Sequence, residues 1–262
     1  MKKSTIVTIL FLIQCIAFAQ PYVPGVSYFG RANYIEYMAG NLPLIITVPH
    51  GGGLTPGEIP DRTCGDETVT DSYTIELARS IQEEITEVTG CFPHVIICHL
   101  KRTKLDANRD LDIAACVNEF AETAWKEFHL FIDSAKESVE KKSGKGLLID
   151  LHGHGHAIQR LELGYLLTAA QLAYSDAVLN TPACINLSSI RNLIGTNVNG
   201  LQHSELLHGA FSLGTMFEAK GYPAVPGIDE PHPYSGEPYF SGGYNTERHG
   251  SMKEGTIDAI QI

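Results

Sequence analysis

Two apolar runs in this chain end in the same way, and that repetition limits what the rest can fold into. Leu44-Ile45-Ile46-Thr47-Val48 leads into Pro49-His50-Gly51-Gly52-Gly53, and Gly146-Leu147-Leu148-Ile149 leads into Asp150-Leu151-His152-Gly153-His154-Gly155-His156. Continuous apolar runs of this length read as strands buried on both faces, which belong to parallel sheets covered by helices. Sheets of that kind present ligands from the loops at their strand ends. Two strands that each deliver a histidine into a glycine-rich loop therefore suggest one shared site. Extended alternation would put His152, His154 and His156 on one face, and the intervening glycines allow a metal or substrate close to the backbone.

The segments between these runs fit the same architecture. Thr70 or Asp71 is expected to cap a helix reaching about Val88, with Leu77, Ile81, Ile85 and Val88 at helical spacing and Gly90 at the C-cap. Val95 to Cys98 reads as a strand. A long helix over roughly Asp112 to Lys141 would turn Val117, Phe120, Ala124, Phe128, Phe131 and Ala135 toward a core, and Gly144-Lys145-Gly146 would end it. The expected class is α/β: a three-layer domain with a mixed, mainly parallel sheet covered by helices on both faces. Leu163 to Leu167 reads as a further strand, and short helices are expected at Ala169–Val178 and Leu206–Lys220. Gly221 to Gly243, rich in Pro, Gly, Tyr and His, reads as a long loop folded over the site.

Lys2 and Lys3, an apolar stretch from Ile6 to Ile13, and Ala17-Phe18-Ala19 fit a secretory signal, residues 1–19, removed before Gln20. Residues 20–262 would then form one secreted, extracellular domain, and no later segment is apolar enough to span a bilayer. The formal charge of −11 becomes −13 once Lys2 and Lys3 are lost, which disfavours nucleic acid as a partner. Cys64, Cys91, Cys98, Cys116 and Cys184 would remain, in a compartment that permits one or two disulfides. No C-x-x-C zinc pattern occurs among them.

A hydrolase zinc takes three ligands from His, Asp and Glu and keeps a position open for water. His50 and His152 are the first two candidates. Asp71, at the expected helix start, is the best-placed third, with Asp66 and Glu67 as rivals. His154 and His156 are expected to support neighbours or face solvent, and Asp150 shares the face of His152 and could brace it. Arg102 and Arg109 flank the turn Arg102-Thr103-Lys104-Leu105-Asp106-Ala107-Asn108-Arg109-Asp110, where guanidinium forks could hold a carboxylate. The alternative for that run is a solvated charged loop.

Five segments, in order, carry a family resemblance. They are Val48-Pro49-His50-Gly51-Gly52, Asp71-Ser72-Tyr73-Thr74-Ile75-Glu76-Leu77, Leu105-Asp106-Ala107-Asn108-Arg109, Asp150-Leu151-His152, and Gly242-Gly243-Tyr244-Asn245-Thr246-Glu247-Arg248-His249-Gly250. Together they resemble the N-formylglutamate amidohydrolases, which are distantly similar to the zinc carboxypeptidases. The resemblance implies a carboxypeptidase or phosphorylase/hydrolase-like fold and a Zn2+ site built from His50, Asp71 and His152. It further implies that Asn108 and Arg109 hold a substrate carboxylate, with Arg248 as a second anion contact.

This chain departs from the carboxypeptidase pattern at the third residue after His50, which is Gly53 and not glutamate; that moves the acid ligand to Asp71. The catalytic glutamate of both families is expected just beyond Ile262, because Ile257-Asp258-Ala259-Ile260-Gln261-Ile262 resembles its lead-in and ends mid-strand. The sequence is therefore expected to be truncated. The function expected from all this is a secreted zinc amidohydrolase acting on a small acidic N-acyl amino acid. The alternatives are a carboxypeptidase-like enzyme acting on peptide C-termini and a secreted zinc- and carboxylate-binding protein without turnover.

Overall fold

A computed structural model describes residues 22–262, so the expected signal segment lies outside the described residues. The strands are β1 (Ser27–Phe29), β2 (Ile35–Met38), β3 (Leu44–Val48), β4 (His94–Cys98), β5 (Gly146–Asp150), β6 (Leu161–Glu162), β7 (Ala224–Val225) and β8 (Ile257–Gln261). Six of them form one sheet in the order β1-β2-β4-β3-β5-β8, while β6 and β7 form a small parallel ribbon. Strands β4, β3, β5 and β8 run parallel, with Val48 opposite Ile97 and Thr47 opposite Asp150 in register, and β1 and β2 add an antiparallel edge. Both histidine-bearing strands therefore sit side by side in the sheet and end at the same edge. The mixed, mainly parallel α/β sheet matches the expected class.

Alternation along the buried strands divides the core in two. On one face Ile45, Ile96, Cys98, Leu148, Ile257 and Ala259 pack under the long helix α3 (Glu119–Ser143). On the other, Ile46, Val48, Val95 and Ile97 meet Ala78, Ile75 and Ile81 of the helix α1 (Thr74–Thr89). Farther along that second face Leu147 and Ile260 pack with Leu163, Tyr165, Ile190 and Leu207 among short helices. Those helices are α4 (Ala169–Leu172), α5 (Asp176–Leu179), α6 (Pro182–Ile185), α7 (Arg191–Thr196), α8 (His203–His208) and α9 (Leu213–Glu218), and α10 (Tyr244–His249) precedes β8. Among the described residues no helix is long and apolar enough to cross a membrane.

Three helix expectations need correction. The helix expected from Asp112 to Lys141 is broken into α2 (Leu111–Ala115) and α3 (Glu119–Ser143). Cys116 and Val117 between them are left-handed, at φ 49° and 62°, and Asn118 caps α3 by accepting from Phe120 N–H and Ala121 N–H. The break lies where Cys116 is bonded to Cys64, so the periodic stripe loses its first member and Val117 points to solvent. The first helix begins at Thr74 and not at Asp71: Tyr73 is its left-handed N-cap and makes no side-chain cap bond. Asp71 keeps its carboxylate free of capping as a result. The expected helix over Leu206–Lys220 is likewise two helices, parted at Gly209.

Candidate metal centre

The loops after β3 and β5 bring His50 and His152 face to face across neighbouring parallel strands. Gly52 and Leu54 continue the β3 loop beside Lys101 and Leu100 of the β4 extension, and a Cβ on Gly52 would collide with the His99 backbone. Only glycine lets that loop lie so close to the β4 extension. The His50 and His152 Nδ1 atoms are 3.2 Å apart. Asp71 Oδ2 lies 3.0 Å from His152 Nδ1 and 3.4 Å from His50 Nδ1, and it also accepts from Gly153 N–H. Of the three acids weighed, Asp71 is the one that closes this triangle. Glu67 lines the same pocket but its Oε1 accepts from Val69 N–H.

The triangle fits a small cation by its own dimensions. Two ligands about 2.0–2.1 Å from a tetrahedral zinc lie roughly 3.3 Å from each other. The three edges here, 3.0, 3.2 and 3.4 Å, are of that size. Each imidazole is also fixed from behind. His50 Nε2 is 2.6 Å from Asp106 Oδ1, and His152 Nε2 is 2.9 Å from Asp150 Oδ2. A carboxylate on the far nitrogen sets ring orientation and tautomer so that the near nitrogen faces a metal.

Those two carboxylates are themselves held. Asp106 accepts from Asn108 N–H and Arg102 Nε, with Arg62 Nη2 at 3.7 Å. Asp150 accepts from Thr47 Oγ1 at 2.6 Å and Asn245 Nδ2 at 3.1 Å. Burial alone would push Asp71, Asp106 and Asp150 upward, but the facing imidazoles and, at Asp106, Arg102 hold all three below the usual carboxylate range. Burial likewise opposes charge on His152, yet Asp150 and Asp71 outweigh it and raise the imidazole to about 9.

A cavity of about 230 Å³ opens beside the triangle. Arg102, Asn108, Arg109, Phe240 and the glycines Gly242 and Gly243 help to line it, so the long loop after Gly221 does fold over the site. Arg102 is committed to Asp106 and lies 3.8 Å from Asp71. Among the described residues Arg109 makes one guanidinium hydrogen bond, to the Asn108 carbonyl, and it is exposed. Asn108 Nδ2 is 3.2 Å from His152 Nε2, and its Oδ1 accepts from Asn245 N–H.

Arg248 stands elsewhere. It is exposed, its guanidinium lies 5.2 Å from the Trp125 ring centre, and it is not in the pocket lining. Helix α10 projects it outward because the inward positions are taken by Asn245, Thr246 and His249, all buried. His154 and His156 do not join the triangle either, although with Glu162 they form a second group whose ligand atoms lie within 4.8 Å of one another. Asp106 and Asn245 are the residues sequence reasoning missed. Only their presence in the quoted segments marked them, because the partners they hold are 56 and 95 residues away.

No family profile matches this chain, and no curated protein matches it. Among solved structures it is similar to an N-formylglutamate amidohydrolase from Ralstonia eutropha JMP134, with 15% identity and a TM-score of 0.46 over 87% of this chain and 84% of that one.

Proposed function

We propose that this protein is a secreted zinc-dependent amidohydrolase that cleaves the amide bond of a small acidic N-acyl amino acid. The observation that carries this reading is the His50–Asp71–His152 triangle, each imidazole braced by a carboxylate, with the uncommitted Arg109 in the same pocket. Two imidazoles and one carboxylate are the donor set that catalytic zinc prefers, softer than the all-oxygen cages of calcium or magnesium. When bound there, zinc supplies Lewis-acid polarisation of a carbonyl and acidifies water.

The chain's own residues supply orientation. Asp106 and Asp150 orient His50 and His152, and His50 together with Arg102 keeps Asp106 ionised. Arg109 offers a fork matched to a carboxylate, with Asn108 beside it. A cavity of about 230 Å³ is below the usual range of roughly 300–1,000 Å³ for small-molecule pockets and has no room for a folded partner. The ordered motifs quoted above support an amide as the bond cleaved.

A second reading, zinc and carboxylate binding without turnover, is favoured by one observation. Among the described residues the only pocket-lining carboxylate outside the triangle is Glu67, and one of its oxygens is already engaged. Two measurements separate the readings. Metal analysis should find one zinc per chain, removable by chelator and restored on addition; a chain that takes up no zinc ends both. The zinc-loaded protein should then release free amino acid from N-acylglutamates, whereas binding without release favours the second reading. Arg109→Ala should weaken N-acylglutamate by about 10–100-fold, from the roughly 1.5–3 kcal/mol of a charge-assisted pair, and its neutral amide far less. Equal losses on both would mean that Arg109 only braces its loop.

A further inference from the structure

The pocket contains one apolar side chain, Phe240, and two residues outside the triangle, Glu162 and His156, are arranged to hold it. We propose that Phe240 determines specificity, its ring receiving an aryl or branched alkyl acyl group, so that the substrate is an acidic amino acid carrying an apolar N-acyl group. This rests on the reading above and names the acyl part that it leaves open.

Phe240 is 48% exposed, while every other non-glycine side chain lining the cavity is polar or charged. A single exposed phenylalanine on a surface needs no explanation. What needs one is the clamp behind it. Glu162, with its side chain 2% exposed, accepts from Phe240 N–H at 2.8 Å through Oε2 and contacts His156 Nδ1 at 2.8 Å through Oε1. The His156 ring then stacks on the Phe240 ring, with centroids 4.6 Å apart and planes within 18°. One buried carboxylate thereby fixes both the backbone and the backing of one aromatic ring.

The same arrangement disfavours a second metal at His154, His156 and Glu162. His154 Nε2 contacts the Arg160 carbonyl and its Nδ1 accepts from His156 N–H, so both nitrogens are committed. The loop bearing Phe240 is also pinned on either side: Tyr239 donates its hydroxyl to the Leu163 carbonyl, and Leu166 N–H to the Ser241 carbonyl. Phe240 is thus a fixed wall and not part of a loose flap.

Topology sets which end of a substrate meets it. In the order β4-β3-β5-β8, His50 and His152 extend from the middle pair. Arg109 follows β4 on one flank. Phe240 is tied to β6, whose continuation at Gly164 pairs with Gln261 of β8 on the other flank. A molecule with its carboxylate at Arg109 and its amide between the histidines directs its acyl substituent toward β8 and Phe240. One face of that ring is covered by His156, and stacking or edge contact on the other rewards an aromatic or bulky apolar group over formyl.

The test uses the zinc-loaded full chain and two ligands this chemistry cannot cleave, N-benzenesulfonylglutamate and N-methanesulfonylglutamate, compared by calorimetry. The aryl ligand should bind about tenfold tighter or more, the factor that ~1.4 kcal/mol of added contact gives. Phe240→Ala should collapse the ratio toward one without loss of zinc, Phe240→Tyr should keep it, and His156→Ala should reduce it partway. If both ligands bind with a ratio under twofold, or if Phe240→Ala leaves a large ratio intact, the role of Phe240 is refuted while the acidic-substrate reading stands. If neither ligand binds to protein that holds its zinc, the acidic-substrate reading itself fails and takes this inference with it.

Discussion

The molecule contains two pairs of buried histidines in nitrogen-to-nitrogen contact, and they are built for opposite ends. His50 and His152 approach to 3.2 Å between Nδ1 atoms; His129 Nδ1 and His249 Nε2 approach to 2.9 Å. Burial is similar. What differs is the surroundings. The first pair is ringed by Asp71, Asp106 and Asp150. The second lies between α3 and α10 among Trp125, Phe128 and Tyr244, with the His129 and His249 rings stacked. Its charged neighbours are mixed: Asp133 Oδ1 lies 3.5 Å from His249, against Lys136 and Arg248. Burial pushes both members of the second pair below the ordinary histidine value, aided at His129 by His249 and Arg248 and at His249 by Lys136 and Arg248 against Asp133. Carboxylates make a buried histidine pair a candidate cation site, and aromatic packing disfavours charge on it.

The largest effect should come from removing a member of the triangle. We expect His152→Ala or Asp71→Ala to lower zinc affinity by more than the roughly 10–100-fold typical of losing an outer hydrogen-bond partner. His249→Phe should keep one zinc per chain and show its cost in the melting temperature instead. Competition against a chelating dye reads both. If His249→Phe empties the site as thoroughly, the two pairs are one coupled unit and the contrast between them is false.

A smaller change tests the carboxylates without touching a ligand. Asp106→Asn keeps the shape beside His50 but removes the charge that holds its far nitrogen. Zinc affinity should fall about 10–100-fold with the ligand set intact. An unchanged affinity would mean that ring packing alone orients His50.

In chelator-treated protein His152 and the second pair should move stability in opposite directions with pH. His152 is raised to about 9 in the fold, so its stabilising proton is fully present below about pH 6.5 and is lost as pH rises through 9. His129 and His249 are lowered, so their contribution is present above about pH 6.5 and is lost as the solution is acidified. At pH 5 one histidine that stays neutral in the fold costs about 2 kcal/mol, from 1.36 kcal/mol per unit over roughly 1.5 units. Replacing both His129 and His249 with Phe should therefore remove at least about 2 kcal/mol of the stability loss between pH 7.5 and 5. Urea midpoints in the presence of chelator would measure it. If the acid branch does not change, His94, lowered to about 4 by burial and Lys142, is its source.

The first pair was legible in the sequence and the second was not. His50 and His152 announce themselves because each follows a continuous apolar run and is set among glycines, a local signal. His129 sits inside a helical stripe and His249 in a turn-rich segment, so nothing local distinguishes either from a surface residue. The mixed, mainly parallel sheet followed from the alternation of strands and helices, while the order of its strands did not. The break at Cys116 did not, because a left-handed pair tied to Cys64 by a disulfide 52 residues away leaves the helical periodicity on both sides intact. Of its rivals Asp71 is the one that meets the two histidines, and for a reason that needed the fold: with Tyr73 as the left-handed cap, the Asp71 carboxylate is left for them. Arg248 was misplaced because a motif fixes its sequence position and not the face of α10 on which it lies.

That misplacement yields the smallest and sharpest test. Arg248 belongs to the second region: it lies over Trp125 and donates to Tyr244 Oη at 3.1 Å, roofing the aromatic shell around His129. An exposed cation over an aromatic ring is worth about 0.5–1 kcal/mol. Arg248→Ala should therefore cost about that much stability. It should leave the affinity for an N-acylglutamate within about twofold of the unaltered protein, where Arg109→Ala loses the larger factor set by a charge-assisted pair. Calorimetry on the two variants side by side decides it. If Arg248→Ala weakens the acidic ligand as much as Arg109→Ala does, α10 must turn its outer face toward the pocket when ligand binds. The aromatic region would then be part of the binding apparatus, and the division between the two histidine pairs would not survive.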